Sequence, residues 1–111
     1  MSTRLLRVNS LIKKELSQIL SREVDFPQGV LVTVTRVETT SNLIEAKVYV
    51  SLLGEKQAEN VFKILNNNIY HIQQILNKRL KMRPIPKIIF KKEEKTGEAS
   101  KIEEILEGLT P

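Results

Sequence analysis

Between Ile44 and Leu52 the chain alternates without a break: Ile44, Ala46, Val48, Val50 and Leu52 are apolar, and Glu45, Lys47, Tyr49 and Ser51 separate them. Successive side chains of an extended strand point to opposite faces, so this run demands a strand with one face covered and the other wet. The rest of the chain must supply the cover, and two segments do so at helical spacing. From Arg4 to Glu23, Leu5, Val8, Leu11, Ile12, Leu16, Ile19 and Leu20 form one stripe interrupted by Glu15. After Gly54, Ala58, Val61, Phe62 and Leu65 repeat the spacing, which stops at Asn66, Asn67 and Asn68 and resumes as Ile69, Ile72, Ile75, Leu76 and Leu80. Asparagine is a weak helix former that competes for backbone hydrogen bonds, so the triple predicts a kink between two helical runs.

The remaining segments complete a sheet. Asp25, Pro27 and Gly29 punctuate the chain after the first helix, and the Val- and Thr-rich run Val30 to Val37 predicts a strand that pairs as a hairpin with the alternating one across the turn Thr39 to Asn42. Pro84 and Pro86 stop the second helical run, and Lys87 to Lys92 reads as a third strand. Beyond Gly97, Ile102, Ile105, Leu106 and Leu109 predict a short C-terminal helix. The expected architecture is α+β, in the order α-β-β-α(kinked)-β, with a three-stranded sheet covered by helices on one face. At 111 residues the chain has enough apolar side chains for one core. Residues 1–96 are expected to form that single domain, with 97–111 as its helical extension.

Composition narrows function. No apolar stretch approaches the roughly 20 residues that cross a bilayer. Lys13, Lys14 and Glu15 interrupt the first apolar stripe, which therefore does not read as a secretory signal. The expectation is a soluble cytoplasmic protein with no membrane partner. With no cysteine and a single histidine, neither a disulfide framework nor a zinc cluster is expected, and no cofactor is implied.

Charge is segregated along the sequence. From Asn60 to Lys92 there are eight basic residues (Lys63, Lys78, Arg79, Lys81, Arg83, Lys87, Lys91, Lys92) and no Asp or Glu. The rest of the chain holds ten Lys and Arg against thirteen acids, so this third carries the whole positive excess of a chain with net charge +5. A polyanion is the partner that such a surface fits; a solvated face kept for solubility is the bland alternative.

Catalytic groups do not cluster. His71 lies on the polar side of a helix with no acid within ten residues, Glu15 reads as a helix-edge residue paired to a neighbouring Lys or Arg, and Glu93-Glu94 and Glu103-Glu104 are adjacent pairs that do not share a helix face. Gly29, Gly54, Gly97 and Gly108 are too scattered for a phosphate-binding loop. Neither an enzyme nor a small-molecule substrate is expected.

The second helical run instead presents Tyr70, Gln74, Asn77, Lys78 and Lys81 opposite its apolar face, preceded by Asn67 and Asn68 and followed by Arg83 and Lys87. Such residues suit RNA: cations for phosphates, amides for base edges and 2′-hydroxyls, a tyrosine for stacking. Tyr70 equally suits an aromatic half-buried at the helix junction. Arg4 and Arg7, in an N-terminal stretch that is also free of acids, either extend the footprint or lie along the core. A protein-interaction module with a basic docking face is the rival reading.

In order and spacing, Arg7-Val8, Ile12, Glu15-Leu16-Ser17, Ile19-Leu20 and Glu23, then Val32-Thr33-Val34-Thr35 with Val37 and Glu38, then Leu43, Ala46-Lys47-Val48-Tyr49-Val50-Ser51 and Leu53-Gly54, and finally Leu80, Arg83, Pro86, Ile88 and Phe90 resemble the ribosome-binding factor A family nearly end to end. The resemblance implies a KH-like domain of type II topology. It also implies a monomeric factor for ribosome biogenesis that binds the free, immature small (30S) subunit and its 16S rRNA near the decoding-side neck, aids maturation of the rRNA 5′ end, and matters during growth in the cold. Two positions depart from the family pattern. Asn68 and Tyr70 stand where the family has an Ala-x-Gly kink, and Asp25-Phe26-Pro27-Gln28 stands where Asp-Pro-Arg is usual.

Overall fold

The computed structural model describes residues 3–53 and 58–93, in the order α1 (Thr3–Glu23), β1 (Leu31–Thr39), β2 (Glu45–Leu53), α2 (Ala58–Asn67), α3 (Ile69–Arg79) and β3 (Lys87–Lys92). The predicted helix over Ile102 to Leu109 and the boundary at residue 97 lie outside the described residues. The strands form one sheet in the order β1-β2-β3. β1 and β2 pair antiparallel, whereas β2 and β3 pair parallel. Parallel neighbours require a long crossover, and α2 with α3 supplies it.

The alternating strand behaves as its pattern demands. Ala46, Val48 and Val50 are fully buried and Lys47 is exposed. In β3, Ile88 stands beside Ala46 and Phe90 beside Val48, extending the same covered face. α1 lays Val8, Ile12, Leu16, Ile19 and Leu20 against it, α2 adds Val61 and Leu65, and α3 adds Ile72 and Leu76. Each fully buried Leu or Ile contributes about 1.5–3 kcal/mol over an exposed one. A bulge at Thr35 lets Val34 and Val37, three residues apart, both reach the core, and the Thr35 hydroxyl donates to the Tyr49 carbonyl at 3.2 Å.

One side chain of the alternating run departs from the pattern. Ile44 is 65% exposed, and its neighbour Leu43 takes the core position, with φ of 61°. The turn is the reason. Leu43 N–H donates to the Thr40 carbonyl at 2.9 Å, and the Asn42 carboxamide oxygen accepts from Ile44 N–H at 3.2 Å and from the Thr40 hydroxyl at 2.6 Å. This left-handed step shifts the parity of inward-facing side chains by one before β2 begins.

Candidate nucleic-acid interface

On α3, Tyr70, Gln74 and Lys78 recur every fourth residue and all are exposed, with Asn67 one turn before them and Lys81 just past the helix end. Side chains three or four apart on a helix are neighbours, so Tyr70, Gln74 and Lys78 form one stripe about 12 Å long, with Asn67 and Lys81 in the segments before and after it. Tyr70 is 75% exposed. The half-buried alternative for this ring does not hold, and its face is open for stacking.

The kink that aims the stripe is a single residue. Asn68 interrupts the helices at φ −102° and ψ 2°. Its side-chain amide donates to the Ile64 carbonyl at 2.8 Å, closing the end of α2, while its own carbonyl accepts from Ile72 N–H at 2.8 Å and opens α3. The Asn68 amide is thus engaged within the junction. Among the described residues positive φ occurs only at Leu43 and Gly29, so neither Asn68 nor Tyr70 needs the left-handed freedom of glycine.

The connection from α3 to β3 places the remaining cations. Gln73, on the inner flank of α3, donates to the Pro86 carbonyl at 3.1 Å and accepts from Ile88 N–H at 2.9 Å. It therefore grips the residues on either side of Lys87, whose own N–H donates to the Ile44 carbonyl at 2.9 Å and whose side chain is exposed. Gln73 also donates to the Asn77 carboxamide oxygen at 3.0 Å, and Asn77 is half-buried. Arg83 is exposed, and its guanidinium turns back to donate to the Met82 carbonyl at 2.7 Å and the Leu80 carbonyl at 3.2 Å. Both carbonyls lie in the turn that follows α3, which ends at Arg79.

Of the eight cations in the acid-free stretch, Arg79 makes an ion pair, with Glu15 of α1. Among the described residues the other seven make none, and all seven are exposed. Glu15 is the paired helix-edge residue its position predicts. Arg4 and Arg7 are exposed and lie eleven and eight residues before Glu15, about 12–16 Å along α1 from its contact with Arg79.

Sequence reasoning missed a cluster on the open face of the sheet. Arg36 stacks over the Tyr49 ring at 3.8 Å from its centroid, donates to Glu93 at 3.1 Å and pairs with Glu38. The hydrogen bond that Arg36 donates to the Glu93 carboxylate is the main reason that its guanidinium is held more firmly protonated than usual. Tyr49 could be assigned to the outer face from the alternation, but nothing local announces an arginine and a glutamate 57 residues apart. Among the described residues no group of His, Cys, Asp and Glu could hold a metal.

The sequence profile described as Ribosome-binding factor A matches residues 4–106. The chain belongs to the ribosome-binding factor A family. It is 40% identical over 109 residues to ribosome-binding factor A of Brevibacillus brevis, covering 97% of this chain and 90% of that protein. The ribosome-binding factor A of Staphylococcus epidermidis is 35% identical over 104 residues, with 93% and 90% covered. The fold is also that of solved structures. The crystal structure of ribosome-binding factor A from Thermus thermophilus aligns with a TM-score of 0.70 at 22% identity, over 79% of this chain and 93% of that one. A Thermotoga maritima protein solved by solution NMR aligns with a TM-score of 0.69 at 28% identity, over 85% and 91%. The α+β expectation for a ribosome-binding factor A chain, with a three-stranded sheet and helices on one face, therefore holds.

Proposed function

We propose that this chain is a ribosome assembly factor that acts by binding and not by catalysis. In this reading it is a cytoplasmic monomer that engages the free, immature small subunit and its 16S rRNA, assists maturation of the rRNA 5′ end, and matters most during growth in the cold. Family membership supports the ribosome as partner. The observation that carries the RNA contact is that the acid-free stretch holds seven exposed cations without ion-pair partners among the described residues, with Lys78 on the same exposed side of α3 as the open ring of Tyr70. Tyr70, Gln74, Lys78 and Lys81 form the centre of the contact, with Asn67, Asn68, Asn77, Arg83 and Lys87 around it and Arg4 and Arg7 as an outpost on α1. Cations there neutralise phosphates and hold the factor in place, while the ring and amides favour unpaired nucleotides over regular duplex.

Sedimentation of the purified protein with separated small subunits, large subunits and whole ribosomes across a salt series tests the reading. Selective co-sedimentation with free small subunits that fades as salt rises is expected. Equal binding to all three would leave only a generic basic domain, and a partner recovered equally from nuclease-treated and untreated extract would favour protein docking.

A further inference from the structure

The helix α1 has a second face. Thr3, Leu6, Arg7, Ser10, Leu11 and Lys14 line a shallow groove on the side turned away from Val8, Ile12 and Leu16, and all six are exposed. Their spacing, i, i+3, i+4, i+7, i+8 and i+11, keeps them on one side of a helix over about three turns. At 100° per residue Leu6 and Leu11 flank that side with the small Ser10 between them, and the two leucines are 52% and 39% exposed. Residues at i, i+3, i+4 and i+7 form the hole that accepts a side chain of a second helix. Two such holes follow one another here, Thr3-Leu6-Arg7-Ser10 and Arg7-Ser10-Leu11-Lys14.

The charge around the groove has one sign. Residues 3–14 contain Arg4, Arg7, Lys13 and Lys14 and no acid. All four cations are exposed, and among the described residues none makes an ion pair. The first acid of α1, Glu15, is held by Arg79. An occupant must therefore offer apolar side chains to the holes and carboxylates to the rim. A second copy of this chain fails the second demand, because two such faces would set Arg7, Lys13 and Lys14 against their like. A phosphate backbone fails the first, since it leaves Leu6 and Leu11 without an apolar contact. A lipid surface takes up a wide apolar face, and that of α1 is already buried in the core.

We infer that the outer face of α1 docks an acidic amphipathic helix of another protein. Two of its apolar side chains, three or four residues apart, enter the two holes, and Asp or Glu residues beside them face Arg7 and Lys14. The apolar contacts set the register of the two helices, and the charges select the partner. Arg7 borders both this groove and the outpost it shares with Arg4, so the docked helix lies beside that contact. The inference rests on the geometry and charge of α1 and not on the proposed RNA contact of α3.

Photo-crosslinking in growing cells tests the assignment, with benzoylphenylalanine in place of Ser17 in the full chain. Ser17 is exposed and stands one turn beyond Lys14, outside the groove. Irradiation should give an adduct with a protein, bridged at a helical segment that carries acids beside two apolar residues. Leu6→Ser with Leu11→Ser, and separately Arg7→Glu with Lys14→Glu, should each lower the yield about tenfold while thermal unfolding is unchanged. Changing the acids of the bridged segment to lysine should restore the yield for the charge-reversed chain. An adduct with RNA, an adduct with a second copy of the chain, a yield indifferent to the charge reversal, or no adduct at all would overturn the assignment.

Discussion

Arg79 on α3 donates to Glu15 on α1 at 3.2 Å and to the Gln18 side-chain oxygen at the same distance, across 64 and 61 residues of sequence. This contact joins the basic helix to the helix that covers β1, and the two charged side chains are 27% and 20% exposed. Arg79 is thereby a structural cation beside the proposed binding face. Arg79→Met should destabilise the fold by about 1 kcal/mol, and a double-mutant cycle with Glu15→Gln should return a coupling of about 0.5–1 kcal/mol by chemical denaturation. The salt dependence of ribosome binding should hardly change. A large fall in that slope with unchanged stability would place Arg79 among the phosphate contacts instead.

Lys78 and Lys81 should behave in the opposite way. Both are exposed, and neither makes an ion pair among the described residues. Lys78→Glu with Lys81→Glu should abolish co-sedimentation with small subunits, while the stability measured by thermal unfolding stays within about 0.5 kcal/mol of the parent. If each lysine meets one phosphate, the single neutral variants should each flatten the plot of log affinity against log salt by about 0.7 on single-stranded RNA. Unchanged co-sedimentation of the double variant would move the interface elsewhere.

These two cases show how far the sequence could be read. The elements themselves were legible because each answers a local demand: the alternation from Ile44 to Leu52, the stripe from Val8 to Leu20, and Asn68 breaking a helix with its own amide. The exposed stripe on α3 was legible for the same reason, since spacing alone puts Tyr70, Gln74 and Lys78 together. What three-dimensional assembly decides was not. The parallel pairing of β2 with β3, the grip of Gln73 on the residues flanking Lys87, and the engagement of Arg79 by α1 each join groups whose approach depends on several elements packing at once. Asn77 and Arg83 are engaged locally, by residues at most four positions away, in a side-chain geometry that spacing alone does not announce. Leu43 and Ile44 exchanged their expected places because one left-handed residue resets the parity, and a period-2 pattern cannot register that.

Tyr70 separates stacking from packing. At 75% exposure its removal should cost the fold almost nothing, so Tyr70→Ala should leave thermal unfolding unchanged while weakening binding to unstructured small-subunit RNA by about 1–3 kcal/mol. Tyr70→Phe should keep most of that affinity, because the ring face and not the hydroxyl makes the contact. Equal losses for both variants would point to a hydrogen bond from the phenol.

Thr39 closes β1 with its N–H donating to the Asn9 side-chain oxygen at 3.0 Å, yet its own hydroxyl oxygen is buried and finds no hydrogen-bond partner among the described residues. A buried polar atom left unpaired costs about 1–3 kcal/mol, and valine has nearly the same shape without it. Thr39→Val should therefore raise stability by about 1 kcal/mol, seen as a higher denaturant midpoint with an unchanged slope. Asn9→Ala should lower it, since the Thr39 N–H then loses its acceptor.

Gln73 links stability to the placement of Lys87, a cation of the proposed RNA contact. Its amide satisfies both the Pro86 carbonyl and the Ile88 N–H, and Ile88 is fully buried. Gln73→Ala leaves that N–H without its acceptor and should cost about 1–3 kcal/mol in chemical denaturation. Because the same two bonds bracket Lys87, the variant should also weaken RNA binding at temperatures where it remains fully folded, and adding Lys87→Ala to it should lower affinity by less than Lys87→Ala does in the parent. Fully additive losses would mean that Lys87 finds its phosphate without the help of Gln73.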